Sequence, residues 1–150
     1  MTAALITAIT SLLISFLTLF QSLKTQRLQK LQFDKTQKRA LTTKLYELRL
    51  IHYPKAFEIT ECLRMPKGGG YDPSMILNVK DELNLWKSGM INMIISYDAL
   101  LAFRELRKAL NKQPGNGNIY TQEQESNIWK ARAHFRKCLR IDLGLLHEGD

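Results

Sequence analysis

The chain is poor in residues that interrupt or crosslink a backbone, with four prolines, eight glycines and two cysteines among 150 residues. So few breakers leave long stretches free for helix. Cys62 and Cys138 have no partner at the spacing of a metal site or a redox motif, which predicts two small packing residues and no disulfide. No Asn-x-Ser/Thr sequon and no repeat of useful period occurs. Charge is also missing, and only at one end. The first charged side chain is Lys24, and Ala3 to Phe20 is a run of eighteen residues without charge, glycine or proline.

A membrane-spanning helix needs about 20 predominantly apolar residues, so residues 2–22 are expected to form one. A cleaved secretory signal begins with a positive region and ends at a small-residue cleavage site. Neither flanks this run, which predicts a retained anchor. Lys24 to Arg49 then holds eight basic residues against two acidic, Asp34 and Glu47. Basic residues at the end of a span favour the cytoplasmic side. The expectation is a single-pass protein of the bacterial inner membrane, with the N-terminus outside and the C-terminus in the cytoplasm. Three segments follow: a transmembrane helix over 2–22, a basic juxtamembrane stalk over 23–52, and a small helical domain over 53–150.

The net charge of +8 is unevenly placed: 24–49 carries +6, and 50–150 carries fourteen basic residues against twelve acidic. Basicity beside a bilayer attracts anionic headgroups, at about 1 kcal/mol per residue near the surface. Lys24, Arg27 and Lys30 are the residues expected to touch lipid. A second cluster, Lys130, Arg132, Arg136, Lys137 and Arg140, places five basic residues in eleven with no acid among them. It is the candidate surface for docking a phosphate-bearing partner, such as a ribonucleoprotein.

Past the first segment the chain reads as helix. Leu28, Leu31, Leu41, Leu45 and Leu48 mark a stalk continuous with the uncharged run. Proline lacks a donor and clashes with the preceding turn, so Pro54 is expected to end or kink it. A short helix over 54–64 follows, carrying Phe57, Ile59, Cys62 and Leu63. A loop over 66–73 contains Gly68, Gly69 and Gly70. A third helix, over 74–88 and started by Ser74, carries Ile76, Leu77, Val79, Leu83 and Trp86, and Gly89 interrupts it. Met90 to Ile95 is either helix or a buried extended piece. Ser96 or Asp98 caps a fourth helix to Asn111, with Leu100, Leu101, Phe103, Leu106 and Leu110. Thr121 with Gln124 has the pattern of a capping box and opens a fifth, whose stripe is Ile128, Ala131, Phe135, Cys138 and Leu139. The fold class is all-α.

Chemistry is sparse. His52, His134 and His147 lie far apart, without the close pairs from which metal sites are built. The glycines after Lys67 lack the Lys-Ser/Thr ending of a phosphate loop. Glu58 and Glu61 share a helical face, but no nucleophile accompanies them. The expectation is no enzyme, no cofactor and no metal. The first helix is more specific. Thr7, Ser11, Ser15, Thr18 and Ser22 fall within an arc of roughly 80°, opposite the bulky Leu12, Phe16 and Leu19. Small stripes let backbones approach and hydroxyls bond across the contact, so these five form the expected association face. The competing reading has each hydroxyl bonding its own helix.

Leu48, Arg49, Tyr53, Pro54, Lys55, Glu58, Ile59 and Thr60, followed by Trp86, Ser96, Tyr97 and an amphipathic last pair of helices, resemble a broad group of small single-span bacterial membrane proteins. That group is largely of unknown function, and some members resemble effectors of anti-phage systems, retrons included. The resemblance implies a non-enzymatic effector that self-associates through its first helix and perturbs the membrane when a partner complex releases or clusters it. It brings no catalytic residue. A constitutive anchor or scaffold for a cytosolic complex is the alternative, and a membrane-tethered nucleic-acid-binding protein the third. Partners expected are membrane lipids, further copies of the chain, and a cytosolic protein or ribonucleoprotein.

Overall fold

The computed structural model describes residues 2–64, 70–115 and 119–147, with side chains from Ser15 onward. It is all-helical, and no strand occurs among the described residues. Helix α1 is Thr2–Ile59, followed by a 3-10 turn over Glu61–Leu63. Next come α2 (Pro73–Trp86), a π-helical segment over Lys87–Ile91, and α3 (Asn92–Ile94). Helices α4 (Tyr97–Leu110) and α5 (Gln122–Asp142) complete the order. The chain divides into two units, Met1–Thr43 and Lys44–Asp150. The division falls inside the segment expected as a stalk.

In the first unit every described side chain, Ser15 to Thr43, is exposed. Large apolar groups are among them: Phe16 is 70% exposed and Phe20 62%, and Leu17, Leu19 and Leu23 are also open. Among the described residues no helix is long and apolar enough to cross a membrane. This corrects the single-pass expectation and the inner-membrane localisation and orientation built on it. The side chains of Thr7 and Ser11 lie outside the described residues.

The second unit holds the core. Tyr53, Ala56 and Ile59 on the end of α1 are buried with Ile76, Val79 and Leu83 of α2, Phe103 and Leu106 of α4, and Ile128, Phe135 and Leu139 of α5. Helix α4 packs on α5. A four-ring cluster sits at the centre: Trp86 lies 6.3 Å from Tyr53, 6.3 Å from Phe103 and 6.0 Å from Phe135, and the two phenylalanines are 5.8 Å apart. Offset and edge contacts at such distances add about 0.5–1.5 kcal/mol per pair beyond burial.

Local sequence explains most boundaries. The Thr121 hydroxyl accepts from Gln124 N while the Gln124 side chain accepts from Thr121 N, a complete capping box. Ser96, not Asp98, caps α4 by accepting from Ala99 N. Asp72, not Ser74, caps α2: its carboxylate accepts from Ser74 N, and Pro73 takes the first helical position. Helix α5 ends at Asp142, and the chain turns away at Gly144, whose φ of +63° glycine adopts without strain. Leu145 N there donates to Arg140 O, in the manner of a Schellman stop.

The expectation of a separate helix over 54–64 needs correcting. Pro54 neither ends nor restarts a helix, because α1 runs through it to Ile59. Pro54 and Leu50 are both on the exposed side, where a carbonyl that loses its intrahelical partner faces water, not the core. Gly89 does interrupt α2, with φ −90° and ψ −141°, but helical structure resumes at once and α3 covers Asn92–Ile94. Met90–Ile95 is therefore mostly helical.

Candidate functional site

The polar chemistry of the second unit gathers at two places, and both begin on the last turns of α1. Arg49, Tyr53, Ala56 and Thr60 recur at i, i+4, i+7 and i+11, so they share one face. That face meets α5, where Ile128, Arg132, Phe135, Leu139 and Asp142 follow the same rhythm. Charged groups on both stripes are thereby carried inward.

The first cluster closes the C-terminal end of α1. Carbonyls in a helix's last turn have no intrahelical partner, and here arginines of α5 supply donors. Arg132 Nε donates to Thr60 O at 2.6 Å, and Arg136 donates to Phe57 O at 3.1 Å. Both guanidiniums then meet the Glu61 carboxylate, Arg132 at 3.2 Å and Arg136 at 2.8 Å. Arg64 reaches its other oxygen at 2.7 Å. The Phe57 ring lies under Arg136 at 4.9 Å and Arg140 at 5.9 Å, a cation–π arrangement. Arg132 is only 8% exposed. Its burial, then the charge of Arg136, push its pKa below the ordinary range, though Glu61 opposes them. At Glu61 desolvation acts upward, but the hydrogen bond and charge of Arg136, with the charges of Arg64 and Arg132, hold the carboxyl below its usual value.

The second cluster centres on Asp142, at the end of α5. Its carboxylate accepts from Tyr53 Oη at 2.7 Å and from Ser96 N at 3.3 Å, with Arg49 at 3.8 Å. Arg49 Nε donates to Ile94 O at 2.7 Å. One carboxylate thus joins α1, the cap of α4 and α5. Nearby, Trp86 Nε1 donates to His52 O at 3.0 Å. Among the described residues no buried side-chain nitrogen or oxygen lacks a hydrogen-bond partner.

Burial, followed by the hydrogen bond and charge of Asp142, pushes the Tyr53 phenol far above its ordinary value. A group whose folded pKa is raised stabilises the fold fully below the unfolded value, about 10 for tyrosine. That contribution is lost as pH rises toward the folded value. Between about pH 9 and 12 the unfolding free energy of wild type should therefore fall more steeply than that of Tyr53→Phe. Parallel profiles in urea titrations across that range would remove Tyr53 as the source.

The residues singled out in the sequence are dispersed by the fold. Lys24, Arg27 and Lys30 are exposed on α1. Ser15, Thr18 and Ser22 are exposed too, and the Thr18 hydroxyl donates to Ser15 O at 3.1 Å within the helix. The basic cluster of α5 splits. Arg132 and Arg136 bond the chain's own carbonyls, Arg140 lies over Phe57, and Lys130 is exposed. Lys137 lines an open groove of about 590 Å³ with Asp98, Glu105, His134 and Asp142. Glu58 pairs with Lys55 at 3.3 Å, apart from Glu61 and its arginines. Cys62 is exposed and Cys138 buried, and burial raises both thiol pKa values. Among the described residues no three His, Cys, Asp or Glu side chains are grouped to hold a metal ion.

The two clusters escape a reading of the sequence that places Tyr53 only within the resemblance and the arginines on a docking surface. Their signal was present: Arg132 and Asp142 lie in phase with Ile128, Phe135 and Leu139. No family model matches the chain, and no curated protein or solved structure shows significant similarity to it.

Proposed function

We propose that the chain is a non-enzymatic interaction protein that pairs with a second copy through the uncharged end of α1. The supporting observation is the unbroken exposure of Ser15 to Thr43, with Phe16, Leu17, Leu19, Phe20 and Leu23 all open on one stretch of helix. Contiguous apolar surface of this kind marks an interaction site.

A second copy suits this surface in one orientation. Lys24, Arg27, Lys30, Lys35, Lys38 and Arg39 face only Asp34 as a counter-charge in the same stretch. Parallel pairing sets these basic segments side by side. Antiparallel pairing of residues 3–20 sends them off opposite ends, about 27 Å apart and well beyond the Debye length of about 8 Å. Pairing brings two Lys44–Asp150 units into one assembly, which is the role of a scaffold or clustering effector. Bilayer perturbation is not part of this reading, because it rested on the span.

Sedimentation equilibrium of the full chain tests it. Wild type is expected at twice its 17.3 kDa mass, and Phe20→Glu with Leu23→Glu at the monomer mass with unchanged helicity. A monomeric wild type, or a variant that keeps the doubled mass, would sink the proposal.

A further inference from the structure

We propose that Arg64, Arg132 and Arg136 form a phosphate-binding site which Glu61 occupies from within the chain. This is independent of α1 pairing.

Three guanidiniums meet one carboxylate at 2.7, 3.2 and 2.8 Å, so the cluster holds two positive charges in excess. Two of its members are fixed without help from Glu61. Arg132 is anchored on Thr60 O, and Arg136 on Phe57 O and the Phe57 ring. Their side chains are only 10% and 15% exposed, so neither can turn away into water at small cost. Burial first, and then the charges of Arg136 and Arg64, depress the pKa of Arg132.

Glu61 differs. Its side chain is 45% exposed, so the carboxylate can rotate into solvent without leaving a buried charge behind. What remains is a preorganised set of guanidinium donors open on the side of Arg64, which is 77% exposed. Arginine forks match phosphate oxygens in geometry and charge. A phosphate dianion in place of Glu61 lowers that excess from two charges to one, and supplies three acceptor oxygens where Glu61 offers two. The ligand class is a phosphate monoester or inorganic phosphate, competing with Glu61 for the same donors.

The competition defines the test. Inorganic phosphate is titrated calorimetrically into the full chain, wild type and Glu61→Gln, with potassium chloride at matched ionic strength as control. Glu61→Gln should bind about ten-fold more tightly, the equivalent of one charge-assisted hydrogen bond. Adding Arg64→Ala to Glu61→Gln should abolish the gain. Phenyl phosphate in a parallel titration separates the two sources: tighter binding than inorganic phosphate assigns the site to monoesters, and equal or weaker binding to the free ion. If Glu61→Gln is unfolded in chloride, recovery of helicity in phosphate supports the site and no recovery overturns it. Equal affinity in wild type and a folded Glu61→Gln, or a gain indifferent to Arg64→Ala, also overturns it. The arginines then serve only to cap α1.

Discussion

Alanine at Phe135 is expected to lower the unfolding free energy of the Lys44–Asp150 unit by about 3–5 kcal/mol. Phe135 is fully buried and touches two of the other three rings of the central cluster. Its loss removes the transfer term for a whole ring and leaves a cavity between α4 and α5 that surrounding helices fill only in part. Trp86 lies 6.0 Å away, so its fluorescence should shift to the red in the native baseline. Urea unfolding followed by circular dichroism and fluorescence measures both effects. A loss below about 1.5 kcal/mol would place Phe135 at a site that collapses easily, contrary to its position in the ring cluster.

Asp142→Ala should cost about 3 kcal/mol, because removing one partner of a buried pair strands the others. The Tyr53 hydroxyl, the Ser96 amide and the Arg49 guanidinium all lose an acceptor together. For a unit of this size that corresponds to a fall in Tm of more than about 10 °C. Tyr53→Phe removes one donor and leaves the carboxylate its other contacts, so its cost should be nearer 1 kcal/mol. A scan in which the two substitutions cost the same would mean that Asp142 acts only through Tyr53.

What the sequence made legible was local. Thr121 with Gln124, and Ser96 ahead of an apolar rhythm, depend on residues a few positions apart and are realised in the fold. Gly89 marked a real interruption for the same reason. Pro54 misled because its effect depends on which side of the helix it faces, and that is decided by packing. The uncharged run from Ala3 to Phe20 has a composition suited to a span, yet among the described residues no helix is long and apolar enough to cross a membrane. The polar clusters were illegible to a reading of charge density, which treats Arg132 and Arg136 as two of five basic residues on a surface. Their phase assigns them to the interior: Arg132 is four residues from Ile128 and three from Phe135. A charged residue in register with a buried stripe implies a partner on the opposing helix, but only the fold reveals that it is Glu61.

The reach of these contacts along the chain has a consequence for synthesis. Thr60 is joined to Arg132, Tyr53 to Asp142 and Arg49 to Asp142, partners 72, 89 and 93 residues apart. Each joins the end of α1 to the last helix, so none can form while α5 is still inside the ribosome. Until then the last carbonyls of α1 and one side of the ring cluster stay open to water, and α1 to α4 wait as an incomplete assembly with apolar surface exposed. Such species are prone to aggregate. The emergence of α5 is thus the step that commits the nascent unit to its fold.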